Sequence, residues 1–281
     1  MPGMGELSIE TAGLSGLRTM LDWAAAEGWN PGVHDAEAFL AADQGGFLIG
    51  SLGGEPIAAI SIVHYDDWFA FLGLYIVRPA WRGQGYGLTM WRAAMERAGT
   101  RTIGLDGVVD RQPDYARSGF RLVRRNVRYG GPGGGSVPEG LVPVDEVAAE
   151  AIARYDASIF PADRSSFLAR WLRLPASVGL AVARDGAVSG YGIARRCRTG
   201  YKVGPLFADD EASAERLLAG LVARIGETPF FLDVPEPNEA AVRLVRRFGM
   251  SPVFETARMY TGDPPREPVD RIFGVTTFEL G

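Results

Sequence analysis

The chain has 281 residues, 47% of them hydrophobic and 22% charged, with a net charge of −5 at pH 7. That length suggests about two domains at the usual ~150 residues each, and the acidic balance disfavours a nucleic-acid or anionic-membrane partner. The single cysteine, Cys197, excludes an intrachain disulfide framework, and two histidines, His34 and His64, are too few for most histidine metal sites, so no metal is expected. No apolar run approaches ~18 residues and no basic-then-apolar signal pattern opens the chain, which points to a cytoplasmic, reducing setting.

Leu14 to Glu27 carries Leu17, Met20, Leu21 and Ala24 at helical spacing. A short second helix is expected from about Asp35 to Ala42, with Asp35 as its N-cap. Phe47 to Gly53 and Ile57 to Tyr65 read as strands meeting at Gly53-Gly54-Glu55-Pro56, and Phe69 to Val77 as a third, strongly apolar strand. After Arg78-Pro79 comes the run Arg82-Gly83-Gln84-Gly85-Tyr86-Gly87, which opens a helix-forming segment, Leu88 to Ala98. Thr102 to Asp106 is a short buried strand, Pro113 to Ser118 a helical turn closed by Gly119, and Phe120 to Tyr129 a final strand.

Gly130-Gly131-Pro132-Gly133-Gly134-Gly135-Ser136 has no side chains to pack and reads as a flexible linker. Beyond it the outline repeats. Helices are expected at Val144 to Ile159, Ser165 to Leu174, Glu211 to Ile225 and Asn238 to Phe248. Strands are expected at Val178 to Arg184, Ala187 to Arg195, Tyr201 to Phe207, Phe230 to Val234 and Val253 to Tyr260. Leu105-Asp106 and Leu232-Asp233 each end a buried strand, and Arg128-Tyr129 and Arg258-Met259-Tyr260 each lie in the strand that follows. A repeat of this length means a duplicated domain.

A strand, a glycine-rich turn and a helix start make an anion site, because the first amides of a helix have no internal partner and glycines let a phosphate come close. A Walker loop would end in Gly-Lys-Ser/Thr, and here the end is Gly-Tyr-Gly. A dinucleotide fingerprint needs a glycine three residues after Gly85, where Leu88 stands. What remains resembles the acyl-CoA loop of the GNAT superfamily of N-acetyltransferases, Gln/Arg-x-x-Gly-x-Gly/Ala, matched by Arg82, Gly85 and Gly87, with Val77-x-Pro79 where that family has Val-x-Pro. Glu27-Gly28-Trp29-Asn30-Pro31-Gly32, Phe71 to Val77 and Gly104-Leu105-Asp106-Gly107 are similar to one bacterial subgroup of tandem GNAT proteins.

The resemblance implies an α/β (α+β) fold with a mixed sheet and two GNAT-like domains in tandem. Residues 1–130 would form the catalytic domain that binds acetyl-CoA as co-substrate, 131–136 the glycine-rich linker, and 137–281 a second domain without its own cofactor site. Tyr75, Ile76 and Val77 would pair with the pantetheine arm as an added strand, and Ile76 or a neighbour would supply the oxyanion donor. Arg82 and the amides of Gly83, Gln84, Gly85, Tyr86, Gly87 and Leu88 would hold the pyrophosphate.

Tyr115, four residues before Gly119-Phe120, sits where GNAT enzymes often keep the tyrosine that protonates the departing thiolate; the asparagine the family often has seven residues earlier is Val108 here. Glu27 and Asp106 are the candidate general bases, and Trp29, Tyr65 and Trp68 the candidate walls of an acceptor pocket. In the second half Asn238 fits the asparagine position, but Val245 replaces the tyrosine. Asp209-Asp210 occupy the helix start, where carboxylates satisfy the dipole and repel a pyrophosphate with no arginine to offset them. That half is expected to complete the structure or one wall of the acceptor site. The expected reaction is acetyl transfer to an amine of a small molecule or peptide, by a monomer or homodimer. The rival is a catalytically silent acyl-CoA-binding sensor or scaffold, which the missing asparagine favours.

Overall fold

The computed structural model describes residues 6–281. β1 (Ser8–Thr11) leads into α1 (Leu14–Ala26) and α2 (Asp35–Ala42), followed by the antiparallel strands β2 (Phe47–Leu52), β3 (Glu55–His64) and β4 (Phe69–Val77). α3 (Tyr86–Ala98) crosses to β5 (Thr102–Val108), parallel to β4, and α4 (Gln112–Arg117) to β6 (Phe120–Gly131). The second half runs β7 (Val142–Pro143), α5 (Ala149–Asp156), α6 (Ser165–Trp171), β8 (Ser177–Arg184), β9 (Ala187–Arg196) and β10 (Tyr201–Ala208). It continues with α7 (Glu211–Arg224), β11 (Phe230–Pro235), α8 (Glu239–Arg247), β12 (Ser251–Thr261) and β13 (Ile272–Gly274).

The helices form because their apolar residues recur on one face. α3 buries Tyr86, Met90, Ala94 and Ala98, each one turn apart; α7 buries Ala214, Leu217, Leu218, Leu221 and Val222. Each of these helices serves a separate core, and the one under α3 also takes in Ala257 and Met259 from β12. α1, α2, α5 and α6 instead share a single core that joins the halves, in which Phe39 of α2 stacks on Trp171 of α6 at 6.2 Å.

Among the described residues thirteen strands make one mixed sheet, in the order β1-β2-β3-β4-β5-β12-β6-β11-β10-β9-β8-β7, with β13 beside β10. The halves have exchanged their last long strands. β12, from the second half, lies on β5 of the first, and β6, from the first, lies on β11 of the second. The recurring Asp and Arg lock the exchanged strands together. Arg258 stands opposite Asp106 and Arg128 opposite Asp233. In each pair the guanidinium donates twice to the carboxylate, at 2.9 and 2.6 Å for Arg258–Asp106 and at 2.6 and 2.8 Å for Arg128–Asp233. All four side chains are buried, so every partner is needed to offset the desolvation of the other.

Several expectations are corrected here. Gly130 and Gly131 belong to β6 and pair with Ser251 and Phe230, so the glycine-rich stretch begins inside the sheet. A Cβ on Gly133 would strike the carbonyls of Gly226 and Thr228; the missing side chains permit close packing there rather than freedom. The division at 130 and 137 therefore does not separate two independent sheets. Asp35 does not cap α2 from outside. It is the first residue of the helix, it accepts from the Gly32 amide at 2.8 Å, and it pairs with Arg195 of β9 at 3.1 Å. The helix expected over Val144 to Ile159 is reduced to Ala149–Asp156, because Val147 is extended after a single turn at Val144–Glu146. The short strands β1, β7 and β13 were not foreseen.

Candidate active site

β4 and β5 run side by side as far as Leu72–Leu105 and then part. β5 continues against β12 to Val108–Thr256, while β4 continues against β3 to Val77–Ala58. The edge of β4 from Gly73 to Val77 is left facing the fork. A bulge lies at the same place: Ser61 pairs with Gly73 and Ala59 with Ile76, which leaves one extra residue on β4, and Leu74 adopts a left-handed φ of 45°. A non-glycine residue held there costs ~1–3 kcal/mol, and such strain collects at functional sites. The bulge also switches faces. Ala70 and Leu72 pack toward α3 before it, and Tyr75 and Val77 pack that way after it.

A cavity of about 520 Å³ fills the fork. Of the residues expected to bind the cofactor, Tyr75, Ile76, Val77, Arg82, Gly83, Gly85, Gly87 and Leu88 line it. Gln84 and Tyr86 do not. Gln84 turns back and donates to the Ala80 carbonyl at 3.0 Å, and the Tyr86 ring is buried against Trp81, which leaves only their main chain for a ligand. Gly83 and Gly85 have φ of 75° and 87°, a region that side chains resist. A Cβ on Gly87 would come within 2.8 Å of the Tyr75 hydroxyl. No side chain caps α3 and no carboxylate lies in its first turn, so its leading amides and dipole stay available to an anion. Arg82 donates from Nε to the Val77 carbonyl at 2.8 Å and is ion-paired with Glu27 across the mouth of the cavity.

Tyr115 lies on α4 and lines the cavity, with its ring beside Trp91 and Phe120 and over Gly107, where a Cβ would clash with it. Burial, with some help from nearby Tyr75, pushes its phenol up to about 12.

Of the two expected bases, Glu27 lines the cavity but is engaged by Arg82. Asp106 is corrected. It borders the cavity, but Arg258 holds both its oxygens and Asn126 donates to it at 2.7 Å, so it is a lock between strands rather than a free proton acceptor. Trp29 lines the cavity, and its carbonyl receives Arg128 at 2.8 Å and Lys202 at 3.3 Å. Tyr65 does not reach the cavity. Its hydroxyl donates to the Leu280 carbonyl at 2.7 Å, and its ring packs between Phe69 and Phe160. Trp68 is exposed and lies outside the lining, as does His64.

Four lining residues escaped sequence reasoning because they come from the other half: Phe254 and Thr256 on the exchanged strand β12, and Phe278 and Glu279 on the segment after β13. The faint sequence signal for the first two was the repeated arginine-bearing strand.

The second half has the same fork, since β10 and β11 part after Val203–Leu232. There β13 fills it. It pairs with β10 at Leu206–Gly274 and Phe207–Ile272, and the Val275 amide donates to the Asp233 carbonyl at 2.8 Å. Asp210 caps α7 by accepting from the Ser213 amide at 2.7 Å, and Asn238 caps α8. The expectation that no arginine offsets Asp209 is corrected: Arg271, far away in sequence, pairs with it at 2.7 Å. Among the described residues no group of three or more His, Cys, Asp or Glu side chains could hold a metal, and no helix is long and apolar enough to cross a membrane.

Residues 15–120 match the GNAT acetyltransferase family, and residues 152–274 match a second acetyltransferase (GNAT) domain. The holothin acyltransferase of Pseudoalteromonas sp. (strain SANK 73390) is 31% identical over 264 residues, which cover 92% of this chain and 90% of that protein. The crystal structure of a Pyrococcus horikoshii protein assigned as an acetyltransferase superposes with a TM-score of 0.83 at 25% identity, covering 100% of this chain and 99% of the other. A tandem GNAT protein from the clavulanic acid biosynthesis pathway shares the fold, with a TM-score of 0.63 at 15% identity over 93% of this chain and 100% of that one. The chain belongs to the GNAT family of acyltransferases and carries two GNAT domains in tandem.

Proposed function

We propose that this chain moves an acetyl group from acetyl-CoA to an amine of a small molecule or peptide, at one site built on its first 130 residues. The observation that carries this reading is the unpaired β4 edge from Gly73 to Val77 leading straight to an uncapped helix start at Gly85. A pantetheine arm contains two amides and can add to such an edge as a strand. The pyrophosphate then meets the amides of residues 83–88 and the positive end of α3. The amide of Ile76 or its neighbour at the bulge faces the thioester oxygen, and Tyr115 returns a proton to the thiolate. Glu27 holds Arg82 at the mouth of the loop. The name of the holothin acyltransferase relative supports acyl transfer.

Acetyl-CoA is expected to raise the melting temperature by binding only the folded state, and Gly85→Asp to abolish that rise by adding bulk and negative charge at φ 87°. An equal rise in both proteins would remove the loop from the site. Thiol release from acetyl-CoA with a panel of amines then separates an enzyme from a silent sensor.

Titration calorimetry on the intact chain is expected to give one acetyl-CoA per molecule, because β13 fills the second fork and Asp210 caps its helix. A stoichiometry of two would refute this division of labour.

A further inference from the structure

Glu279 is 4% exposed and lines the acyltransfer cavity, and its Oε2 is buried without a hydrogen-bond partner among the described residues. An unpartnered buried carboxylate is costly, so either a partner arrives with a ligand or the group is a distant counterion. The charged groups facing it come from three strands: Arg128 of β6, Arg195 of β9 and Lys202 of β10, with the Cys197 thiol beside them. Arg128 already has Asp233, and Arg195 meets Asp35 through Nε while its Nη2 has no partner among the described residues. Lys202 Nζ donates a hydrogen bond to the Trp29 carbonyl at 3.3 Å, and no ion pair joins it to Glu279. These cations offset the charge of Glu279 at a distance, and none of them occupies Oε2, which is left open to a ligand.

The segment carrying Glu279 is fixed against the bulge. The Glu279 backbone lies so close to Gly73 that any Cβ there would collide with its carbonyl. Thr277 Oγ1 accepts from the amides of Glu279 and Leu280, at 3.1 and 2.9 Å, and Tyr65 holds the Leu280 carbonyl. Gly73 is the residue next to the strained Leu74, where the proposed thioester would lie. Phe278 and Phe254 make an aromatic wall on the same side, and the Arg128 guanidinium lies over both rings.

We propose that Glu279, delivered by the second half of the chain, is the catalytic base of the first half and receives the acceptor as an alkylammonium ion. This rests on the acetyl-transfer reading above. The carboxylate takes one proton from the ammonium, and the freed lone pair attacks the thioester carbon. The C–N bond forms, the C–S bond breaks, and the thiolate leaves with a proton from the Tyr115 hydroxyl. The proton held by Glu279 passes to solvent, and the second proton of the nitrogen reprotonates Tyr115.

The test compares an alkylamine, cationic at pH 7, with an arylamine, neutral at pH 7, each drawn from the amines that turn over. Glu279→Gln is expected to lower kcat/KM for the alkylamine by ~10²-fold or more. The arylamine rate and the melting rise given by acetyl-CoA should be nearly unchanged. Equal losses with both amines, or none with either, would overturn the assignment. Should Glu279→Gln fail to fold, the wild-type pH profile decides. If Glu279 accepts the ammonium, kcat/KM for the alkylamine stays level well below that amine's own pKa. A tenfold fall per pH unit below that pKa would mean the free amine is used, and the assignment fails. If wild type binds acetyl-CoA but turns over no amine of either kind, the acetyl-transfer reading falls, and this assignment falls with it.

Discussion

Tyr115→Phe is expected to lower kcat by ~10²-fold or more while leaving acyl-CoA binding almost unchanged, because a positioned general acid contributes 10²–10⁴. The substitution removes one hydroxyl and keeps the ring. Packing against Trp91 and Phe120 and over Gly107 is retained, so the melting temperature should move little. The direction of the pKa shift fits the role. Burial raises the phenol to about 12, so the proton is held throughout the neutral range and is lost only as the pH rises through that value. Tyr115 therefore contributes no limb to the rate profile below strongly alkaline pH. Steady-state kinetics for kcat and calorimetry for binding check this together, and full turnover by the variant would exclude Tyr115 from the mechanism.

Arg258→Met is expected to have the largest effect on stability. It strands the Asp106 carboxylate, whose side chain is 0% exposed, with Asn126 as its remaining donor. Breaking a buried pair from one side costs ~3–5 kcal/mol, or roughly 10 °C in melting temperature for a chain of this size. The paired replacement Asp106→Asn with Arg258→Met should recover much of the loss, because no unmatched charge is then left inside. Arg128→Met should behave alike through Asp233. Burial alone would raise the Asp233 pKa, but the Arg128 charge and hydrogen bonds outweigh it and hold it below the ordinary carboxylate value. Its contribution is therefore present above the unfolded pKa and is lost as the pH falls through the lowered folded one. Thermal melts of the single and double variants measure this. A single variant within 2 °C of wild type would show that the strand exchange does not depend on these pairs.

What could be read in the sequence is what local backbone chemistry dictates. Gly83, Gly85 and Gly87 announce a loop that side chains would obstruct, and Val77 with Pro79 marks where the strand ends. Tyr115 was singled out by the resemblance, from its offset to Gly119-Phe120, and the structure shows only that it lines the cavity. The strand exchange could not be read, because β6 and β12 each carry an arginine and β5 and β11 each an aspartate, so the local pattern does not say which strands meet. For the same reason Asp106 looked like a free carboxylate at a strand end. Glu279 gave no local signal, since its meaning depends on a chain path that leaves β13 and crosses to Gly73. Tyr65 read as a pocket wall because its aromatic ring says nothing about which carbonyl its hydroxyl will find.

The exchange of β6 and β12 also orders events in time. As the chain is synthesised from its first residue, β5 is complete some 140 residues before β12 emerges to cover it. At ~5–20 residues per second that interval lasts roughly 7–30 s. Throughout it the middle of the nascent sheet presents a bare edge, which is a template for wrong pairing with β6 or with another chain. The two halves are thus not modules that can be cut apart or recombined at the glycine-rich stretch. A gene fragment for either one would lack the strand that covers its interior edge in the intact chain, and the other fragment supplied in trans would be needed to restore this pairing.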